Sequence, residues 1–353
     1  TADSLEVEAT NEELLVTVGA SGGEAGKVAF NGVVLVNVID NSTLAHIGNG
    51  ATLTIGNTEV GDENSDASIY VNAEDVSNVV TLAGSLAMSE KAGIGASVGI
   101  TILDRDTEAV IGNQHSDSSA DTAATMITTG AVEVLASNDG FVGSFAIAGA
   151  STSDGGKDEP EAESGTPTSS DGDTKDDAGE SGNDEESFDD ILGDVQGLFD
   201  LGGSSEGGSA SAGQSNSGKN GVGISGSVTV NILEEYARAH INNLGTFTAT
   251  DITIQGQAST AAVATAGGIS LSRGTGKGTN VGIGGAAAVN VLEGEVLAGI
   301  DGATTLTANS VDIDAIRDNT VVSISAGLAG ATGKKGIAVG GSVSVNLLDS
   351  DTN

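Results

Sequence analysis

The chain of 353 residues contains no cysteine, no tryptophan and only two prolines, and it has 12 basic residues against 50 acidic ones. Without cysteine it forms no disulfide, no zinc–thiolate site and no catalytic thiolate. Its net charge of −38 comes without the clustered lysine and arginine that phosphate contacts require, so nucleic acid is excluded as a partner. Anionic membrane surfaces should repel it. No uncharged run of 18 apolar residues is present, so we expect no membrane insertion.

Large aromatic side chains are also scarce, with two tyrosines and six phenylalanines, whereas glycine accounts for 54 residues. A compact globular core of this size normally contains more aromatic residues, because each of them buries a large area. Small and β-branched residues suit a thin interior between strands. Abundant glycine without proline indicates many turns and close backbone approaches.

One sequence block recurs five times, and its clearest copies are GVGISGSVTVNIL from Gly221 to Leu233 and GIAVGGSVSVNLL from Gly336 to Leu348. Each copy has a marker residue near its end, and successive markers are 64, 130, 59 and 56 residues apart. The repeat is therefore about 60 residues long, with one enlarged copy. The markers are Asn37, Thr101, Asn231, Asn290 and Asn346.

Apolar and polar residues alternate within each repeat, as in Val311, Ile313 and Ala315, and this period of two predicts strands. The fold class we expect is all-β, an elongated parallel β-solenoid of tandem repeats. At about 20 residues per coil, each repeat would supply three coils, about 14 in all. The markers would then lie three rungs apart, at turns, with a structural role. Antiparallel β-hairpins that reverse at a Gly-Lys loop are the alternative.

The enlarged copy contains an acidic, low-complexity insertion at residues 152–219, with a net charge of −15. Such a composition cannot bury enough apolar area to offset chain entropy, so we expect disorder. The insertion enlarges a loop that carries Lys27 and Lys91 in other copies. The chain therefore divides into solenoid repeats at 1–151, the insertion, and solenoid repeats at 220–353.

One stretch of the insertion, residues 187–201, has the pattern of a short amphipathic helix. Ser187 and Asp190 are placed as a capping box. The apolar residues fall on one helical face, which predicts docking on the solenoid or contact with a partner. They are Phe188, Ile191, Leu192, Val195, Leu198 and Phe199.

No motif in the chain predicts catalysis. The match to G-x-G-x-x-G from Gly221 to Gly226 is followed by a strand, whereas a dinucleotide site requires a helix there. His46 and His240 occupy equivalent repeat positions, where other copies have Val110 and Gly299, so we expect a peripheral, solvated slot. We predict that the chain is not an enzyme and has no cofactor. The acidic composition is compatible with weak Ca²⁺ binding at many sites, without a specific metal site.

The block from Gly336 to Asn346 resembles the repeats of very large bacterial surface proteins, the leukotoxin-type filamentous adhesins and the filamentous-haemagglutinin-like exoproteins. That resemblance implies an extracellular or cell-surface location, a β-helical rod, a structural or adhesive role and no catalytic residues. The function we expect is a stalk segment of a giant adhesin, because the chain begins and ends inside its repeat pattern. The alternatives are a subunit of an extracellular fibre and, less in keeping with four arginines, a solenoid carbohydrate-active enzyme. The partners would be neighbouring repeats or identical subunits, and a surface or host receptor.

Overall fold

The computed structural model of the chain describes residues 2–48, 50–56, 68–115, 124–128, 130–153, 220–274, 278–302 and 305–353. These residues belong to one compact unit, which comprises Thr1–Gly155 and Ser217–Asn353. The predicted helix at 187–201 lies outside the described residues, as does the insertion apart from its ends. The description below concerns this one unit.

The described residues form three parallel sheets, whose strands are numbered in chain order. The first long sheet contains β1 (Ser4–Ala25), β4 (Ser68–Ser89), β7 (Ala131–Ser153), β10 (Asp251–Arg273), β13 (Ser310–Arg317) and β14 (Thr320–Ala331). The second long sheet contains β2 (Val28–Gly48), β5 (Ala92–Gly112), β8 (Gly221–Asn242), β11 (Thr279–Asp301) and β15 (Lys335–Thr352). The short sheet contains β3 (Thr52–Ile55), β6 (Ala124–Thr128), β9 (Leu244–Thr248) and β12 (Leu306–Thr307).

Every strand pair is parallel, and equivalent residues of successive repeats lie side by side, so the chain is a parallel β-solenoid as predicted. The predicted number of coils is wrong. Each 60-residue repeat makes one coil instead of three, because its strands run for 21–23 residues without a turn in most copies. The described residues therefore form five rungs, which span about 20 Å at the usual strand spacing. Rung 1 consists of β1–β3, and rung 5 consists of β13–β15.

The two long strands of a rung run in opposite directions, and in rungs 1 and 2 a tight turn joins them. In rung 1 this turn is Gly26-Lys27, and in rung 2 it is Glu90-Lys91. Their backbones hydrogen-bond to the neighbouring rungs, not to each other, so the two strands pack face to face. The hairpin alternative correctly placed the chain reversal, but its antiparallel pairing is wrong. We call this edge of the solenoid the lysine edge.

The interior is wide at the short sheet and narrow at the lysine edge. At the wide end, large apolar side chains fill the space between all three sheets, including Ile69, Ile111, Ile241, Phe247 and Ile254. A second apolar layer, centred on Val79, Leu103 and Leu233, lies nearer the middle. Between these two layers, and again beyond the second, the interior is polar.

Glycine, alanine and serine form most of the interior near the lysine edge, because the two long sheets approach too closely for larger side chains. A Cβ atom added to Gly95 would lie 2.2 Å from the carbonyl oxygen of Gly149, and one added to Gly268 would lie 2.1 Å from that of Gly285. No real Cβ contact is that short, so these positions require glycine. We call this part of the solenoid, from the lysine edge to the marker residues, the narrow half.

Candidate functional site

The five marker residues form a continuous row across the rungs. Asn37 pairs with Thr101 in the sheet register, and Thr101 with Asn231, which is followed by Asn290 and Asn346. The side-chain amide of Asn231 donates to the Oδ1 atom of Asn290 at 2.8 Å, and Asn290 donates to Asn346 at 3.1 Å. Adjacent markers are therefore one rung apart, not three. They point inward from mid-strand, so the prediction of a turn position is wrong.

Hydroxyl groups of the first long sheet complete this row, which we call the asparagine ladder. Ser144 donates to Asn231 at 2.5 Å, and the amide of Asn231 also donates to the carbonyl oxygen of Val263 at 2.9 Å. The Thr81 hydroxyl lies within hydrogen-bonding distance of Thr101, at 2.9 Å, and accepts from Asn37 at 2.7 Å. The ladder thus connects rungs along the solenoid and also joins the two long sheets across it. Its role is structural, and it penalises a slip in register, since buried amides need partners.

A cluster of buried charges lies between the two apolar layers. Arg105 is completely buried and forms ion pairs with Glu235 and, at 3.4 Å, with Asp75. Its guanidinium also donates to the carbonyl oxygen of Asp139 at 2.6 Å and to the Thr260 hydroxyl at 2.5 Å. A charge at this depth is tolerated only when it is paired and hydrogen-bonded. We call these groups, together with Arg317, the charge cluster.

The cluster extends to the last rung through Arg317, which lies 3.7 Å from Glu235. Burial lowers the pKa of the Arg317 guanidinium, and the charge of Glu235 partly offsets that effect. Asp75 accepts hydrogen bonds from Asn11 at 2.6 Å and from Ser77 at 2.6 Å. Two carboxylates and two guanidinium groups therefore balance in charge, and with Asn11 in rung 1 and Thr260 in rung 4 the contacts of the cluster reach all five rungs. Nothing opens it to a substrate, since Arg105, Asp75 and Glu235 are all inaccessible to solvent.

Three ionisable side chains lie together at the outer corner, where the second long sheet meets the short sheet. They are Glu108, His240 and His115. The Oε1 atom of Glu108 lies 2.7 Å from Nε2 of His240, and it accepts from the backbone N–H of His115 at 2.5 Å. Burial by itself raises the pKa of the Glu108 carboxyl. The hydrogen bonds from His240 and His115 outweigh burial, so that the pKa lies below its ordinary value.

A shallow cleft adjoins this corner, and its lining includes His115, His240, Asn242 and Asp301. The register places His46, Val110, His240 and Gly299 in one row, as the repeat predicted. The predicted solvated slot is wrong for His240, which is only 6% exposed because His115 and Glu108 lie against it. The described lining offers amides, carboxylate and imidazole but no serine, threonine or lysine.

The outer surface of the second long sheet carries a row of like charges, one acid on each rung. Burial raises the pKa of the Asp104 carboxyl, and the neighbouring Asp40 and Asp106 raise it further. Within the described ranges, no three histidine, aspartate or glutamate side chains are grouped to hold a metal ion. Weak Ca²⁺ binding stays a prediction. The row consists of Asp40, Asp104, Glu234, Glu293 and Asp349.

No family model, curated protein or solved structure matches this chain. The part of the chain that the structure describes has no helix with the length and hydropathy of a membrane span. Sequence reasoning identified the five marker residues but not the ladder that they form, and it missed the charge cluster and the outer corner. A signal for the charge cluster was present, because Arg105 and Glu235 are each four residues after their markers and carry opposite charges at equivalent repeat positions. Glu108 occupies a position where the other copies have different residues, so the repeat gave no comparable signal for the outer corner.

Proposed function

We propose that the chain is a non-catalytic structural segment, a stalk of an extracellular bacterial surface protein that lengthens by stacking rungs along the solenoid axis. The observation that carries this proposal is the state of the two end rungs. Among the residues that the structure describes, β1 and β2 of rung 1 pair only with rung 2, and β14 and β15 of rung 5 pair only with rung 4. The opposite edges of these strands are open, with backbone groups that a further rung would satisfy.

The interior-facing side chains of the end rungs support the same proposal. Leu15 packs against the second apolar layer from rung 1, and Val321 packs against it from rung 5, yet both are only partly buried. Another rung on either side would complete their burial. The asparagine ladder supports it as well, because Asn346 accepts from Asn290 and would present its own amide to a next marker. A location at the cell surface rests on the resemblance of the repeats.

Duplication of one repeat would test rung stacking. A second copy of residues 251–309, inserted directly after Asn309, should add a sixth rung in register. We expect a single cooperative urea transition with a higher midpoint, because the stability of a repeat array grows with nearest-neighbour contacts. The control is the same insertion with Ile254→Asp and Ala264→Asp in the added copy, since both residues face inward and are buried. A separate transition for the intact copy, or an unchanged midpoint, would contradict the proposal.

A self-associating fibre is the second candidate, because the same open edges suit identical subunits as well as covalent neighbours. Sedimentation velocity across a wide concentration range separates the two. Leu15→Lys would place a charge inside an end-to-end contact, whereas Leu14→Lys, on the same strand, places it outward at a side chain that is 72% exposed. Linear assembly that Leu15→Lys abolishes and Leu14→Lys preserves would favour the fibre. The absence of linear assembly at all concentrations favours the stalk, and turnover of any glycan would overturn both.

A further inference from the structure

On the second long sheet, the outer surface of the narrow half is apolar. The fold does not require apolar residues there, because these side chains face away from the interior. Six outward positions per strand lie between the lysine edge and the acidic row, and all thirty of them are apolar or glycine in the five rungs. In rung 3 these are Val222, Ile224, Gly226, Val228, Val230 and Ile232. We call this surface the valine face.

The valine face is exposed in the unit that the structure describes. Ile224 and Val228, in the central rung, are 36% and 37% exposed, and Val34 at the end is 68% exposed. Strands of eleven residues and five rungs give a face of roughly 36 by 24 Å, or about 850 Å². That is close to the ~800 Å² that each partner buries in a stable protein complex. Monomers rarely expose an apolar patch of this size.

One row of the valine face forms a groove along the solenoid axis, made of the small residues Gly32, Ala96, Gly226, Gly285 and Gly341. These residues differ from the inward glycines of the narrow half. A Cβ added to Gly226 or Gly341 would meet nothing within 4 Å. Neither residue has a positive φ. Glycine in a strand interior is destabilising, so its use here indicates a surface that packs closely against the groove from outside.

We propose that two copies of the chain pair through their valine faces, around a two-fold axis that runs parallel to the solenoid axis. Their strands then run in opposite directions, and each rung faces the same rung of the partner. The middle of the face lies between the third and fourth outward positions. Counted from the lysine edge, the groove is the third row, and the fourth row contains Val34, Val98 and Val228. The fourth row therefore packs into the partner's groove of small residues, and the partner's fourth row packs into the groove of this copy.

Charge complementarity supports this arrangement over the other orientations. Lys27 and Lys91, both exposed, lie just beyond one end of the face, and Asp40 and Asp104 lie just beyond the other. In the antiparallel pair, the lysine edge of each copy lies beside the acidic row of the other. Strands running in the same direction would instead place one acidic row against the other. The pairing is isologous and closed, so it yields a dimer and leaves the end rungs free for axial stacking.

Sedimentation equilibrium of the full chain from about 1 to 100 μM would test the pairing. We expect a dimer that Val228→Lys weakens at least tenfold, because the substitution places a charge in the face. The double change Gly226→Val and Gly285→Val should do the same by filling the groove, although both side chains fit the isolated unit. Ile269→Lys is the matched control, since Ile269 is also apolar, outward and 43% exposed but lies on the first long sheet.

A charge exchange distinguishes this pairing from other associations. Lys91→Glu and Asp104→Lys should each weaken the dimer, and the two together should restore it, because the residues face each other across the two-fold axis. A dimer that Leu15→Lys abolishes, but that all valine-face variants leave intact, would be an axial contact and would overturn the proposal. A monomer at all concentrations would overturn it too. The proposal would also be overturned if the chain stayed monomeric and floated with neutral phosphatidylcholine vesicles, or if it dimerised only after residues 154–219 were replaced by a short linker.

Discussion

Removal of the Arg105 guanidinium is expected to destabilise the solenoid strongly. Arg105→Met keeps an unbranched side chain of similar length but leaves Asp75 and Glu235 without their shared cation. All three side chains are completely buried, so water cannot compensate for the lost charge. Breaking a buried ion pair by deleting one partner typically costs about 3–5 kcal/mol. That is a large fraction of the ~5–15 kcal/mol by which proteins are stable.

The assay is urea unfolding followed by far-ultraviolet circular dichroism. With a slope of about 3 kcal/mol/M, the expected loss lowers the midpoint by roughly 1–1.7 M. Arg238→Met is the matched control. Arg238 also pairs with two carboxylates, Asp106 at 2.7 Å and Glu295 at 3.5 Å, but these are 51% and 25% exposed. An ion pair open to solvent contributes about 1 kcal/mol at most.

A second change in the same cluster tests the physical cause. Arg105→Met combined with Asp75→Asn removes one carboxylate and leaves Glu235 with Arg317, its remaining cation at 3.7 Å. We expect the double variant to recover most of the lost stability. If Arg105→Met costs no more than Arg238→Met, or if Asp75→Asn makes the Arg105→Met chain still less stable, the destabilisation does not arise from uncompensated buried charge and the reasoning fails.

Three further predictions concern the outer corner, the asparagine ladder and the narrow half. The pKa of Glu108 is lower in the folded chain than in the unfolded one, so unfolding takes up a proton. The stability that the ionised Glu108 carboxylate contributes is complete above the unfolded pKa and is lost as pH falls through the folded pKa. The stability difference between wild type and Glu108→Gln, measured by urea titration at several pH values, should therefore shrink on acidification, and a constant difference would refute this origin. Asn231→Ala should lower the free energy of unfolding by about 1–3 kcal/mol, because it leaves buried groups without hydrogen-bond partners. Asn231→Thr introduces the residue that rung 2 has at this position and should lower the free energy of unfolding by less. Equal losses would mean that hydrogen bonding is not the cause. Gly268→Ala should lower the melting temperature sharply, because the added Cβ would lie 2.1 Å from a carbonyl oxygen. Gly226→Ala has open space around the added Cβ and should be neutral or stabilising by about 0.5–1 kcal/mol. Similar effects of the two substitutions would contradict the close approach of the sheets.

The period of two and the recurrence of one block were sufficient to predict strands, a solenoid and the equivalence of the five markers. Equivalent positions of a repeat stack in one row when every repeat makes the same coil, so a row of markers followed from spacing. Their direct contact did not, because it requires one coil per repeat instead of the three that we expected. The length of each strand did not follow. Gly95 resembles a turn residue in the sequence, yet it lies inside β5, because the facing sheet occupies the space where its side chain would be.

Composition and repeat spacing thus determined the class of fold, the place where the chain reverses at Gly26-Lys27, and which residues of different repeats are equivalent. Only the tertiary structure decided what lies across the interior, because the two long sheets meet through residues that are far apart in the chain. Arg105 of the second long sheet donates to Thr260 of the first, 155 positions away, and no repeat spacing connects these two residues. The structure also decided which glycines are enclosed and which are open. Gly268 is fixed by a facing backbone, whereas Gly226 faces outward with nothing within 4 Å, a contrast that depends on the packing of the second sheet and is invisible in the repeat itself.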